Sequence, residues 1–178
     1  MGLNSEDMFG VMMAVNTYPV AVDSLSWDLF DLVFTNDVIA DFGGGAMWSD
    51  LASLKRDFDT IHRPFKTTQH YTGNHVITGS GDEAYCFSYV RARFTRDLPE
   101  GPDSYEANGW YDDKLVRTAD GWRISHRATR SNWSGGNPKV LETMPGVSGS
   151  QELTALSSEV PAGNIKLVNA LRGKGSAK

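Results

Sequence analysis

From Phe65 to Trp133 the chain alternates in period two, and two tight-turn sequences, Gly79-Ser-Gly-Asp82 and Ala119-Asp-Gly121, cut the run. Alternation over such lengths is the pattern of half-buried strands, and Gly/Asp clusters between two such runs mark hairpins. Four strands are predicted, at about 66–79, 83–97, 105–118 and 121–133, with Pro99-Glu-Gly-Pro-Asp103 as a longer link between the middle two. Consecutive hairpins build an antiparallel meander, and one of its faces needs an apolar cover.

The cover comes earlier in the chain. Met8, Met12, Val15 and Val22 recur at helical spacing, as do Phe9 and Met13. Pro19 is predicted to interrupt this first helix, because it cannot donate to the Val15 carbonyl and its ring crowds that turn. A second short helix is predicted at Trp27–Phe34 with Ser26 as N-cap, broken by Asn36-Asp37. Val38–Phe42 then reads as a short strand, Gly43-Gly-Gly45 as a sharp turn, and Ser49 or Asp50 to His62 as a third helix ended by Pro64. Three helices followed by a meander give an α+β fold with helices on one face of a curved sheet. Residues 1–142 read as one domain and 143–178 as a tail, partly ordered or draped over a pocket or a neighbouring subunit. Within the tail, Gln151–Val160 and Asn164–Leu171 each have room for a couple of helical turns.

Composition excludes several functions. At 178 residues and 40% hydrophobic the chain supports one sizeable core. A net charge of -5, with Lys and Arg scattered apart from a thin basic close at Arg172, Lys174 and Lys178, argues against nucleic acid. The lone Cys86 excludes an internal disulfide and a thiolate metal cluster, and its strand setting makes it a small core residue. Four His offer no paired-ligand spacing, so no metal is expected, and neighbours Asp112 and Asp113 read as a solvated strand edge. Gly43-Gly-Gly45 precedes a helix without a phosphate-loop or dinucleotide pattern, and no Gly-x-Ser-x-Gly elbow occurs, so no cofactor is expected. The opening residues lack a basic segment followed by an apolar one, and no apolar run approaches ~18 residues. The expectation is a soluble, cytoplasmic protein with no membrane partner.

Two residues far apart in sequence stand out: Asp23 in Ala21-Val-Asp23 and His70 in Gln69-His-Tyr-Thr-Gly-Asn74. If they meet in an apolar interior they form a carboxylate–imidazole dyad, able to take a proton from carbon without a cofactor. The competing reading is a structural hydrogen bond that pins helix to sheet. Strand parity places Thr72, Asn74 and Val76 on the same side as His70, and Tyr71, Gly73 and His75 on the other. His62 suits the negative end of the third helix as a cap. In the last strand a bulge could turn His126 or Arg127 inward, where an Arg would stabilise a developing anion; plain alternation leaves Arg127 solvated. Trp27, Phe42, Tyr89 and Trp110 are the aromatic candidates for lining a pocket around an aromatic ligand.

The order of Ala-Val-Asp23 with Trp27-Asp28, Asp37-Val-Ile-Ala-Asp-Phe-Gly-Gly44, His70-x-x-x-Asn74 and Asp120-Gly-Trp-Arg-Ile124 resembles the SnoaL-like branch of the NTF2-like superfamily over about 5–140. The resemblance implies a cone: a strongly curved, mainly antiparallel sheet wrapped around three N-terminal helices, with a deep pocket at the wide end. Members of the scytalone dehydratase, bile-acid 7α-dehydratase, hexachlorocyclohexane dehydrochlorinase and diarylpropane lyase types imply a cofactor-independent lyase on a small hydrophobic or aromatic substrate. Isomerases, cyclases and binding modules share the cone, so fold alone does not choose. By the same resemblance His70 is the general base, Asp23 its orienting partner and Tyr18 an acid or hydrogen-bond donor; a homo-oligomer, dimer or trimer, is implied as well.

Overall fold

The computed structural model describes residues 2–144, 149 and 151–173; Lys174 and Lys178 of the basic close, and part of the tail, lie outside them. Helix α1 (Ser5–Asp23) begins at a capping box, in which Asn4 Oδ1 accepts the Asp7 N–H at 2.9 Å and Asp7 Oδ2 accepts the Asn4 N–H at 3.2 Å. It runs unbroken through Pro19, so the expected interruption does not occur. The buried stripe is Val11, Ala14, Val15, Tyr18, Ala21 and Val22, whereas Met8, Phe9, Met12 and Met13 are exposed.

Trp27–Leu32 is a 3-10 turn and not an α-helix, and Ser26 makes no side-chain cap. Strand β1 (Phe34–Asp41) starts at Phe34, earlier than the expected Val38, because it is recruited by parallel pairing to the last strand. Asn36 and Asp37 are absorbed as an exposed irregularity in that pairing. A two-residue strand β2 (Met47–Trp48) folds back on β1. Helix α2 (Leu51–His62) is capped by Asp50, whose Oδ1 accepts the Ser53 N–H at 2.8 Å.

The meander follows as expected: β3 (Thr67–Ser80), β4 (Glu83–Thr95), β5 (Ser104–Thr118) and β6 (Gly121–Gly136). The sheet is curved and open, with the order β2-β1-β6-β5-β4-β3. Ala84, Cys86, Ser88, Val90 and Ala92 of β4 lie on its inner face, towards the helices; Tyr85, Phe87 and Tyr89 point outward. Opposite β4, this register puts Ala107, Tyr111 and Asp113 of β5 inside and Trp110 and Asp112 outside.

The tail closes the outer face. Helices α3 (Leu156–Ala162) and α4 (Lys166–Leu171) follow a short bridge between Leu153 and Ser131. Ile165 and Leu167 bury Phe87 and Trp110, and the Asp112 carboxylate accepts the N–H groups of Lys166 (2.7 Å) and Leu167 (3.2 Å). The Asp112-Asp113 pair is therefore no solvated edge. Both are fully buried, on opposite faces of the sheet, because the tail covers one side and the core the other.

Candidate active site

Asp23 is the last residue of α1, and β3 passes beside it. His70 Nδ1 donates to Asp23 Oδ1 at 2.7 Å, the His70 backbone N–H donates to Oδ2 at 2.8 Å, and Thr68 Oγ1 donates to Oδ1 at 2.8 Å. Burial alone would raise the Asp23 pKa, but the hydrogen bonds and the charge of His70 together hold it below the usual carboxylate range. An ionised carboxylate only accepts, so Nδ1 carries a proton, and whenever the ring is neutral it is Nε2 that keeps the lone pair. The imidazole side chain is 5% exposed and stands edge-on to Phe94 and Tyr18.

His70 lines a cavity of about 650 Å³ whose walls include Tyr18, Phe42, Trp48, Phe58, Phe65, Phe94 and Tyr111. Burial pushes the Tyr18 phenol up to about 12 and raises Tyr111 too, so both remain O–H donors at neutral pH. At the rim, Arg130 pairs with Asp41 at 2.6 Å, and the tail supplies Gln151, Glu152 and Thr154. Gly43, Gly44 and Gly45, all at positive φ, let the β1–β2 turn pass along the cavity, a conformation side-chained residues adopt only under strain.

Of the expected site residues, Asp23 and His70 meet, and Tyr18 and Phe42 join His70 on the cavity wall. The others lie elsewhere. Asn74 is exposed at φ +53, where β3 holds one residue more than β4 between Gly73 and Val76. That bulge reverses the alternation, so Asn74 and Val76 turn out while Ile77 packs against the core. Tyr89 and Trp110 sit on the outer face, Tyr89 exposed and Trp110 under the tail. Trp27 is tied by its indole N–H to Asp59 at 2.8 Å and packs on Phe30 and Phe58, behind the cavity lining and not part of it.

Arg127 turns inward but does not line the cavity. Its guanidinium forks onto Asp113 at 2.8 and 2.7 Å, with Tyr18 and Tyr111 ring centroids 4.2 and 4.1 Å away. Burial works against its charge, and Asp113 overrides that, raising its pKa further. Arg127 thus backs the two phenols.

Sequence reasoning missed Tyr111, Phe58, Phe94 and His62 as cavity residues. For Tyr111 and Phe94 a signal existed. Propagating the inward face of His70 across the hairpins, through Ala92 and Ala107, selects both. Among the described residues no cluster of three or more His, Cys, Asp or Glu could hold a metal, and no helix is long and apolar enough to cross a membrane.

Known proteins share this architecture. An uncharacterized protein of Mycobacterium tuberculosis is 29% identical over 126 residues, 68% of this chain and 82% of that one. The Kfla4162 protein of Kribbella flavida superposes with a TM-score of 0.70 at 27% identity, over 73% of this chain and 93% of that chain. A scytalone dehydratase-like protein of Novosphingobium aromaticivorans gives a TM-score of 0.66 at 21% identity, over 73% and 87% of the two chains. A hexachlorocyclohexane dehydrochlorinase gives 0.64 at 16%, over 81% and 100%. At those last two identities the likeness shows the fold. Residues 4–128 match the SnoaL-like domain, and with 70% of its length inside that match the chain belongs to the SnoaL-like family.

Proposed function

We propose that this protein is a cofactor-independent lyase that eliminates water or a carbon fragment from a small, hydrophobic, aromatic substrate. The observation that carries the reading is the 2.7 Å contact between His70 Nδ1 and Asp23 Oδ1, made at the wall of an aromatic cavity of about 650 Å³. The dehydratase-like and dehydrochlorinase relatives support it at the coarser level of elimination chemistry on this fold.

In a dehydration, His70 Nε2 takes a proton from carbon, and the C–H electron pair becomes the new carbon–carbon double bond. The hydroxyl leaves with its bonding pair, and the proton on the imidazolium is returned to it as water departs. Asp23 stabilises the imidazolium meanwhile, and its position at the C-terminal end of α1 places that cation where the helix dipole favours it. Tyr18, kept protonated by burial, donates a hydrogen bond to the departing oxygen.

The test is a panel of aromatic alcohols and two-ring lignin-type dimers, screened for a new conjugated ultraviolet chromophore. Wild type is expected to produce one, and Asp23→Asn and His70→Ala, checked for folding by circular dichroism, are expected not to. Turnover that survives in folded His70→Ala would sink the mechanism.

A further inference from the structure

The cavity holds a second imidazole with a different electronic setting. His62 is the last residue of α2, and its Nδ1 lies 2.8 Å from the main-chain carbonyl of Phe58. A carbonyl only accepts, so Nδ1 carries the proton and Nε2 presents a lone pair. The ring stacks on Phe58 at 5.0 Å and meets Trp27 and Phe65 edge-on at 5.6 and 5.7 Å, which fixes its plane. Among the described residues no protein donor reaches Nε2, and no carboxylate bonds the ring as Asp23 bonds His70.

We propose that His62 is a specificity-determining residue, whose Nε2 accepts a hydrogen bond from a ring hydroxyl of the aromatic ligand. The inference rests on the reading of this cavity as the substrate site. Burial pushes the His62 pKa down to about 4, so the ring stays neutral and accepts a hydrogen bond without taking the whole proton. The two imidazoles thereby divide the work: His70, backed by a carboxylate, can bear charge, whereas His62 recognises a donor. A desolvated acceptor left without its donor is costly, so a hydroxylated aromatic should bind about 10- to 100-fold more tightly than its methyl ether.

The experiment titrates 4-hydroxystilbene and 4-methoxystilbene against wild type, His62→Phe, His62→Gln and His70→Ala, read by tryptophan quenching. Wild type and His70→Ala are expected to prefer the phenol by at least about tenfold, His62→Phe to lose the preference, and His62→Gln, which keeps an acceptor, to retain part of it. A preference that persists in folded His62→Phe, or is missing in wild type that binds both, overturns this inference and leaves the lyase reading intact. Binding of neither compound to wild type overturns both. Independently of folding in the variants, the imidazole carbon and nitrogen NMR shifts of His62 in wild type should report the Nδ1–H tautomer at neutral pH. The Nε2–H tautomer would overturn the proposal.

Discussion

His70 reaches Asp23 twice, through ring Nδ1 to one carboxylate oxygen and through its own backbone N–H to the other, at 2.7 and 2.8 Å. A side-chain contact alone would leave the carboxylate free to rotate. The backbone bond, with Thr68 added, locks its plane to strand β3 and so aims the imidazole. The rigidity comes from joining the end of a helix to the start of a strand.

The dyad should therefore fail by loss of charge even where its shape survives. Asp23→Asn keeps an acceptor oxygen but no longer offsets an imidazolium, and kcat is expected to fall by about 10²–10⁴, with His70→Ala at least as severe. Steady-state kinetics on a turned-over panel substrate checks this, and an unchanged kcat with raised KM would point to binding alone.

His62 predicts an acid-sensitive stability. Its folded pKa of about 4 lies below the ordinary 6.5, chiefly through burial, so the unfolded state takes up the proton first as pH falls. Its contribution is complete above about pH 6.5 and is lost between there and about pH 4, by up to about 3 kcal/mol. Asp23, held below the carboxylate range, adds its own loss only below about pH 4. Urea unfolding across this range should show the slope in wild type and a flatter profile in His62→Phe.

Arg127 and Asp113 are both fully buried and paired. Arg127→Met strands a carboxylate in the core and is expected to cost about 3–5 kcal/mol in urea unfolding. Adding Asp113→Leu should recover much of it, since the second change removes the stranded charge. Additive losses would contradict a coupled pair.

Asp112 anchors the tail from the other face of the sheet. Asp112→Ala removes both acceptors for the first N–H groups of α4 and is expected to cost about 1–3 kcal/mol. Hydrogen exchange should rise across Ile165–Leu171 and stay unchanged in the central strands. Equal protection in the variant would show that the contacts of Leu167 and Ile165 suffice.

Much of this was legible in the chain because it is local. The hairpin turns at Gly79–Asp82 and Ala119–Gly121, the start of α2 near Asp50 and its end at His62 follow from residues within a few positions of one another. What failed was non-local. Phe34 reads as helix until β6 is available to pair with it, and Trp110 reads as a pocket wall until the tail arrives to cover it.

The sequence by itself determined four long strands, a helical cover and the residue types a proton-transfer dyad needs, since periodicity, turn chemistry and side-chain chemistry are properties of short stretches. Tertiary structure alone decided which side each candidate faces. One extra residue at the Gly73–Val76 bulge turns Asn74 out of the interior, and packing on both faces of β5 buries Asp112 and Asp113 in opposite directions. The physical reason is that a strand's alternation fixes only relative orientation, while bulges and the elements packed on each face set which side is the inside.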